Sequence, residues 1–160
     1  MAGPSQLNAI LERLALIQQG IAGIVNAYAY LPADPSVMEV PFFINEPVKG
    51  LGNEANFWAA GGPYRVENNI EVWLCVNAWQ LEVTQAMNLQ ACYNWRDLWF
   101  TTLAQHTCLS QVAGTRDLTY ILDAKIVKWG VDRHTVGSTD YAAIGYLTRV
   151  REGLAVVVTA

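Results

Sequence analysis

Apolar residues recur at Leu7, Ile10, Leu11, Leu14, Ile17, Ile21, Ile24, Val25 and Tyr28. Steps of three and four of this kind trace one stripe along an amphipathic helix. Ser5 is a capping residue for a start near Gln6, and Leu31-Pro32-Ala33-Asp34-Pro35 is expected to end the helix, because residues before proline leave the helical region. No charge appears between Arg13 and Asp34, so a membrane span has to be considered. A spanning helix is apolar all round for about 20 residues. Here Gln18, Gln19 and Asn26 fall mostly off the stripe, with Gly20 and Gly23 among them. The stretch therefore reads as an amphipathic helix whose uncharged polar face suits a protein neighbour.

The period then shortens to two. Val37 to Pro47 is expected to be a short strand, moved to a sheet edge by Pro41. A Gly-rich loop of about 17 residues, 48–64, follows and carries Phe57 and Trp58; loops of that length are usually functional. From Tyr64, residues Ile70, Val72, Leu74 and Val76 alternate with Glu71, Trp73, Cys75 and Asn77, as one long strand with a bulge or as a hairpin. Helical spacing returns after Thr84, where Met87, Cys92, Trp95, Leu98, Trp99, Leu103 and His106 mark a second long helix. Strands resume at 117–131, where Leu118, Tyr120, Leu122, Ala124 and Ile126 alternate, and at 139–158. The stretch 132–140 between them reads as a polar turn around Gly137. This order predicts an α+β fold: one compact domain over 1–160, a mainly antiparallel sheet packed by two long helices, and the long loop at 48–64.

Composition sharpens the picture. The chain has 160 residues, of which 52% are hydrophobic and 15% charged, against a usual charged share of about 25%. Disorder is excluded, and six Trp with seven Tyr hint at contact surfaces. A net charge of −4 argues against broad nucleic-acid binding. Cys75, Cys92 and Cys108 are odd in number and lack paired spacing, which suggests a reducing compartment. The start, with no basic run before an apolar core, does not read as a secretory signal.

Catalytic motifs are sparse. His106 and His134 are the only histidines, and neither has the further Cys or His that a zinc site needs. Asp132 and Arg133 flank His134, but nothing nearby in sequence supplies a nucleophile. Gly50 and Gly52 do not form a phosphate loop, because Lys49 precedes them and no Ser or Thr opens a helix after them. No catalytic, cofactor or metal residue is expected, and the chain reads as a non-enzyme.

An early helix ending in "LPADP", a strand "VMEVPFFI", a Gly-rich loop, the block "EVWLCV", a mid-chain helix, and the strands "LTYILDAKIVKWGV" and "YAAIGYLTRV" follow one another. This order resembles the tail-terminator and neck (head–tail joining) proteins of long-tailed bacteriophages. The resemblance spans nearly the whole chain as an order of elements and a size. Its closest local likenesses are the "LPA" turn and the final strand pair with Gly145; the aromatic Gly-rich loop and the long strand block at 66–83 depart from it. It implies a virion protein made in the host cytoplasm that forms a homo-oligomeric ring, commonly a hexamer, capping the tail tube. Its partners would be itself, the tail tube protein and the neck connector, with DNA passing through the lumen unread, no membrane and no cofactor.

Candidate contact residues are Gln19 and Asn26 on the polar face of the first helix, and Tyr28 and Tyr30 at its exit. Phe57 and Trp58 in the loop, and Arg133 and His134 in the late turn, complete the set. The alternative is a small-molecule-binding domain with an apolar pocket between helix and curved sheet. Other neck or baseplate ring components, and an enzyme pairing a carboxylate with His134, stand behind it.

Overall fold

The computed structural model describes residues 7–35, 38–48, 54–57, 64–109 and 121–154. Helix α1 (Leu7–Gln19) leads into the short strand β1 (Asn26–Tyr28), then β2 (Phe42–Pro47), β3 (Glu54–Phe57) and the long β4 (Tyr64–Ala78). A helical segment follows as α2 (Gln85–Gln90), a 3-10 turn (Ala91–Trp95) and α3 (Arg96–Ala104). The chain closes with β5 (Ile121–Val136) and β6 (Thr139–Leu154). The strands form one six-stranded sheet with the path β1-β2-β4-β6-β5. Among the described strands only the β1–β2 pair is parallel.

β6 runs along one edge of β4 from Tyr64 to Ala78, so β2 and β3 share the other edge end to end. Glu54–Phe57, expected inside a continuous loop, is therefore a strand antiparallel to β4. Trp58 and residues 49–53 and 58–63 lie outside the described residues. β2 is an interior strand, flanked by β1 and β4, and not the edge that Pro41 suggested. The reason is that Pro41 precedes the ladder instead of interrupting it. The run Phe42, Phe43, Ile44 is buried on both faces of the sheet, the mark of an inner strand.

One face of the sheet carries the main core. Val72, Leu74, Ile144, Tyr146 and Val150 meet Ile10, Leu14 and Ile17 of α1 and Trp99 and Leu103 of α3. Trp99 is fully buried; its ring lies 5.7 Å from that of Phe43, and its indole N–H donates to Thr148 Oγ1 at 3.2 Å. The Tyr146 hydroxyl donates to the Arg96 carbonyl at 2.6 Å. Burial, followed by the nearby Asp97 carboxylate, raises its pKa, so this hydroxyl stays protonated.

Both helices differ from the periodic reading. α1 stops at Gln19, and the chain turns through Gly20 and Gly23 (φ 88°) into β1 instead of continuing to Tyr28. Glycine tolerates that positive φ without the Cβ clash other residues meet. The second helix is broken by the 3-10 turn, so Met87 is exposed while Cys92, Trp99 and Leu103 are buried. The tighter winding of the 3-10 turn, about 3.0 residues per turn, rotates the buried face between α2 and α3, so the expected stripe is not continuous.

The strands at the C-terminal end are longer than the sequence suggested. β5 and β6 have 16 residues each and continue through 132–136 and 139–140 to a two-residue turn, Gly137-Ser138. Gly137 has φ 63°, which a tight hairpin requires at its first turn position. β4 is one strand with a bulge between Cys75 and Asn77. Register shifts at Ile121/Asp123 and Ile126/Lys128 make Leu122 and Val127 extra residues in β5. Leu122 consequently points outward, although strict alternation placed it with Ala124.

Candidate functional site

Among the described residues, the opposite face of the sheet is covered only at the hairpin end. There Met38, Phe42, Ile44, Cys75, Val136, Tyr141 and Ala143 form a second cluster, packed by Tyr28 and Val40. The Tyr28 ring meets Phe42 edge-on at 5.9 Å, and Phe42 meets Tyr141 at 5.0 Å. Beyond this cover the face opens into a groove of about 500 Å³. It lies on the side of the sheet away from the helices; between helices and sheet, where the alternative reading put an apolar pocket, Trp99, Tyr146 and Phe43 fill the space.

The cross-strand register assembles the groove. Trp73, Gly145 and Gly130 stand in one row across β4, β6 and β5; Glu71, Leu147 and Lys128 form the next. A Cβ on Gly145 would come within 2.8 Å of the Trp73 ring, so only glycine lets the indole lie across β6. The ring then stacks on His134 of β5, with centroids 4.0 Å apart and planes 8° from parallel. Its N–H donates to Glu71 Oε2 at 3.3 Å, which fixes the indole from a second side. At Gly130 an added Cβ would meet nothing within 4 Å, so the groove floor is open there.

Two carboxylates face each other across the β2–β4 pair, because Glu46 is in register with Glu71. Like charges directly opposite are destabilising. The Trp73 indole satisfies Glu71, and His134 Nε2 lies 3.7 Å from Glu46 Oε1, an ion pair when the imidazole is protonated. Lys128 and Asp132 line the outer rim. The groove thus offers a rigid aromatic wall, a bare backbone floor and a rim of mixed charge. Such a surface suits contact with a polar or amphipathic group.

Further along this face, Asp123, Arg151 and Glu67 align in a third row across β5, β6 and β4. Arg151 Nε donates to Asp123 Oδ1 at 2.8 Å, and its Nη2 bonds the other oxygen. That bond, with lesser attraction from Arg151, Lys125 and Arg149, lowers the Asp123 pKa. A depressed carboxylate stabilises the fold above its unfolded value, about 3.9, and the contribution is lost as pH falls through the folded value. Asp123→Asn is therefore expected to cost up to about 1 kcal/mol at neutral pH, the scale of a partly exposed pair. The difference should shrink in acid, vanishing once pH has fallen through the folded value. Urea unfolding at a series of pH values checks this; an equal difference throughout would show that charge is not its source.

The sequence-derived contact residues disperse. Gln19 is exposed, but its carboxamide closes the α1–β1 turn, donating to the Val25 carbonyl at 3.1 Å and accepting from the Ala27 N–H at 2.9 Å. Gln18, assigned to the same outward face, is fully buried and exchanges two 2.8 Å hydrogen bonds with Asn45. Asn26 is exposed at the start of β1. Tyr30 is exposed, its hydroxyl near the Asn8 carbonyl and Glu12 Oε1. Phe57 lies in β3 opposite Tyr64, and Trp58 is outside the described residues.

Arg133 and His134 belong to β5 and not to a turn, and they point to opposite faces. Arg133 forks onto Asp140 and lies 5.1 Å from the Trp79 ring, while His134 stacks on the Trp73 indole that walls the groove. The groove residues Trp73, Gly130 and Gly145 were not singled out as a site by sequence. A Gly-Ser pair between alternating runs was the available signal, since it reads as a hairpin and carries the period-two pattern through His134.

Other chemistry is limited. Burial, with smaller contributions from Glu46 and Cys92, raises the Cys75 thiol pKa, and burial pushes Cys92 up to about 11. Both thiols are protonated at neutral pH and poor nucleophiles. Among the described residues no group of three or more His, Cys, Asp or Glu side chains could hold a metal ion, and no helix is long and apolar enough to cross a membrane.

Fold and groove together define an α+β protein with a mixed, mostly antiparallel sheet, helices on one face and a half-covered second face. The chain matches no protein-family model and no curated protein.

Proposed function

We propose that this chain is a non-enzymatic virion structural protein that forms a ring, of the hexameric kind, at the tail–neck junction of a long-tailed phage. In this role the ring caps the tail tube, stops its growth and presents the surface on which the head connector docks. DNA passes through the lumen without being read, in keeping with the net charge of −4. The reading draws on the order of elements that resembles the tail-terminator and neck proteins. The observation that carries it is the second sheet face, half of which the described residues leave open, where the groove around Trp73 presents an aromatic and charged surface. In a ring stacked between tube and connector, that face is where a neighbour above or below would sit.

Negative-stain images of the purified chain, alone and mixed with tail tubes, test the proposal. Rings, or tubes that overgrow when the chain is left out, are the expected result. A chain that neither forms rings nor alters tube length would refute it.

The groove also favours a second reading, a small-molecule-binding domain. A cavity of about 500 Å³ walled by Trp73 is within the range of ligand sites. That reading requires a monomer or dimer whose indole fluorescence responds to ligand and loses the response in Trp73→Phe.

A further inference from the structure

The groove on the second sheet face has unbalanced negative charge at its β2–β4 side. Glu46 and Glu71 are in register there, and Leu147 and Lys128 complete the row across β6 and β5. Carboxylates directly opposite repel one another, and a cation between them relieves the repulsion. Among the described residues neither Glu46 nor Glu71 has a Lys or Arg partner. The row further along the same face differs, because Asp123 pairs with Arg151 and Glu67 lies 3.7 Å from Arg149. Opposite charges are matched there and left unmatched beside the groove.

The lining itself holds one cation, Lys128, and two carboxylates, Glu71 and Asp132. Lys128 and Asp132 stand on either side of Gly130 on β5, so they offset each other at the outer rim. Glu71, with Glu46 behind it, is what remains.

Trp73 occupies the adjoining row, about 7 Å along β4 from Glu71. His134 covers one face of the indole and Glu71 Oε2 takes its N–H, so the groove is left with the other face. An indole face attracts cations, and donating its N–H to a carboxylate makes the ring more electron-rich. Two carboxylates and a ring face are the donor set of an organic cation. Guanidinium matches it best, being flat, prone to stack on aromatic faces, and able to fork its N–H donors onto two carboxylates. The floor has room for a flat group, since a Cβ at Gly130 would meet nothing within 4 Å.

From these observations we infer that the groove binds a guanidinium group, stacked on the open face of Trp73 and donating to Glu71 and Glu46. The inference rests on the reading of this groove as a contact or ligand site and names the chemistry it takes. An arginine side chain of a neighbouring protein and a free guanidinium compound both carry that group.

Fluorine NMR of the chain labelled with 5-fluorotryptophan tests it, the Trp73 signal being the one lost in Trp73→Phe. Nα-acetylarginine amide should shift that signal saturably. Nα-acetylcitrulline amide, of the same shape without the charge, should bind about tenfold more weakly or worse. Glu71→Gln keeps an acceptor for the indole N–H but should weaken the arginine probe by about tenfold. Lys128→Gln should tighten it, because the one cation of the lining is removed. Glu46→Gln repeats the measurement should Glu71→Gln fail to fold.

Equal binding of the arginine and citrulline probes, no saturable shift at Trp73, or unchanged binding in the glutamine variant overturns the inference and leaves the ring reading standing on another surface. Images of tail tubes with Glu71→Gln then separate the two sources. Tubes that overgrow with this variant, and not with the wild type, assign the guanidinium to a neighbouring protein; tubes capped by both assign it to a free compound. A wild-type chain that binds the probe and caps no tube refutes the ring and keeps the guanidinium site.

Discussion

Replacing Trp99 with alanine is expected to lower stability by about 3–5 kcal/mol, the cost of emptying a large buried aromatic site. For a chain of this size that corresponds to a fall in melting temperature of roughly 6–20 °C. The ring is fully buried at the junction of α3, β2 and β6, against Phe43 and beside Thr148. Trp99→Phe separates packing from hydrogen bonding. It retains much of the contact but leaves Thr148 Oγ1 without its indole donor, so a smaller loss of about 1–3 kcal/mol is expected. Guanidinium titrations of the three proteins measure both. A loss under 1 kcal/mol for the alanine variant would show that the helical layer is loosely packed and that Trp99 does not tie it to the sheet.

The second large effect concerns Gln18 and Asn45. Their carboxamides are buried and exchange two hydrogen bonds, and Asn45 Nδ2 also donates to the Tyr28 carbonyl at 3.0 Å. This pair ties α1 to β2 and to the end of β1. Either Gln18→Leu or Asn45→Val alone strands the partner's polar atoms in the core, at about 1–3 kcal/mol. Changing both replaces the polar pair with an apolar one, and the combined loss should fall short of the sum of the two. A double-mutant cycle in urea reads the coupling directly. Strict additivity would show that the two side chains act independently.

The same pair explains where sequence reading stopped. A helix whose polar face carries Gln18, Gln19 and Asn26 instead of Lys and Glu looks prepared for an external partner. Part of that partner is internal: Asn45 takes Gln18, and the α1–β1 turn takes Gln19. Periodicity along one segment contains no information about a polar residue 27 positions away that meets it across a sheet. The groove was hidden for a related reason. Trp73 and His134 were both visible, yet their stacking depends on a register linking β4, β6 and β5 and on a glycine at 145 that leaves room for the indole.

Local pattern alone determined that this chain is α+β, that α1 and the segment 85–104 are helical, and that Ile70, Val72 and Leu74 turn to one face while Trp73 and Cys75 turn to the other. These follow from side-chain periods of 3.6 and 2, which short stretches of sequence carry in full. Tertiary structure decided the rest. It stopped α1 at Gln19, broke the second helix, placed β2 inside the sheet and turned Leu122 and Val127 outward. Each of these depends on which strands become neighbours. Pairing satisfies backbone groups and buries side chains between residues far apart in sequence, so its outcome is settled only when the whole sheet forms.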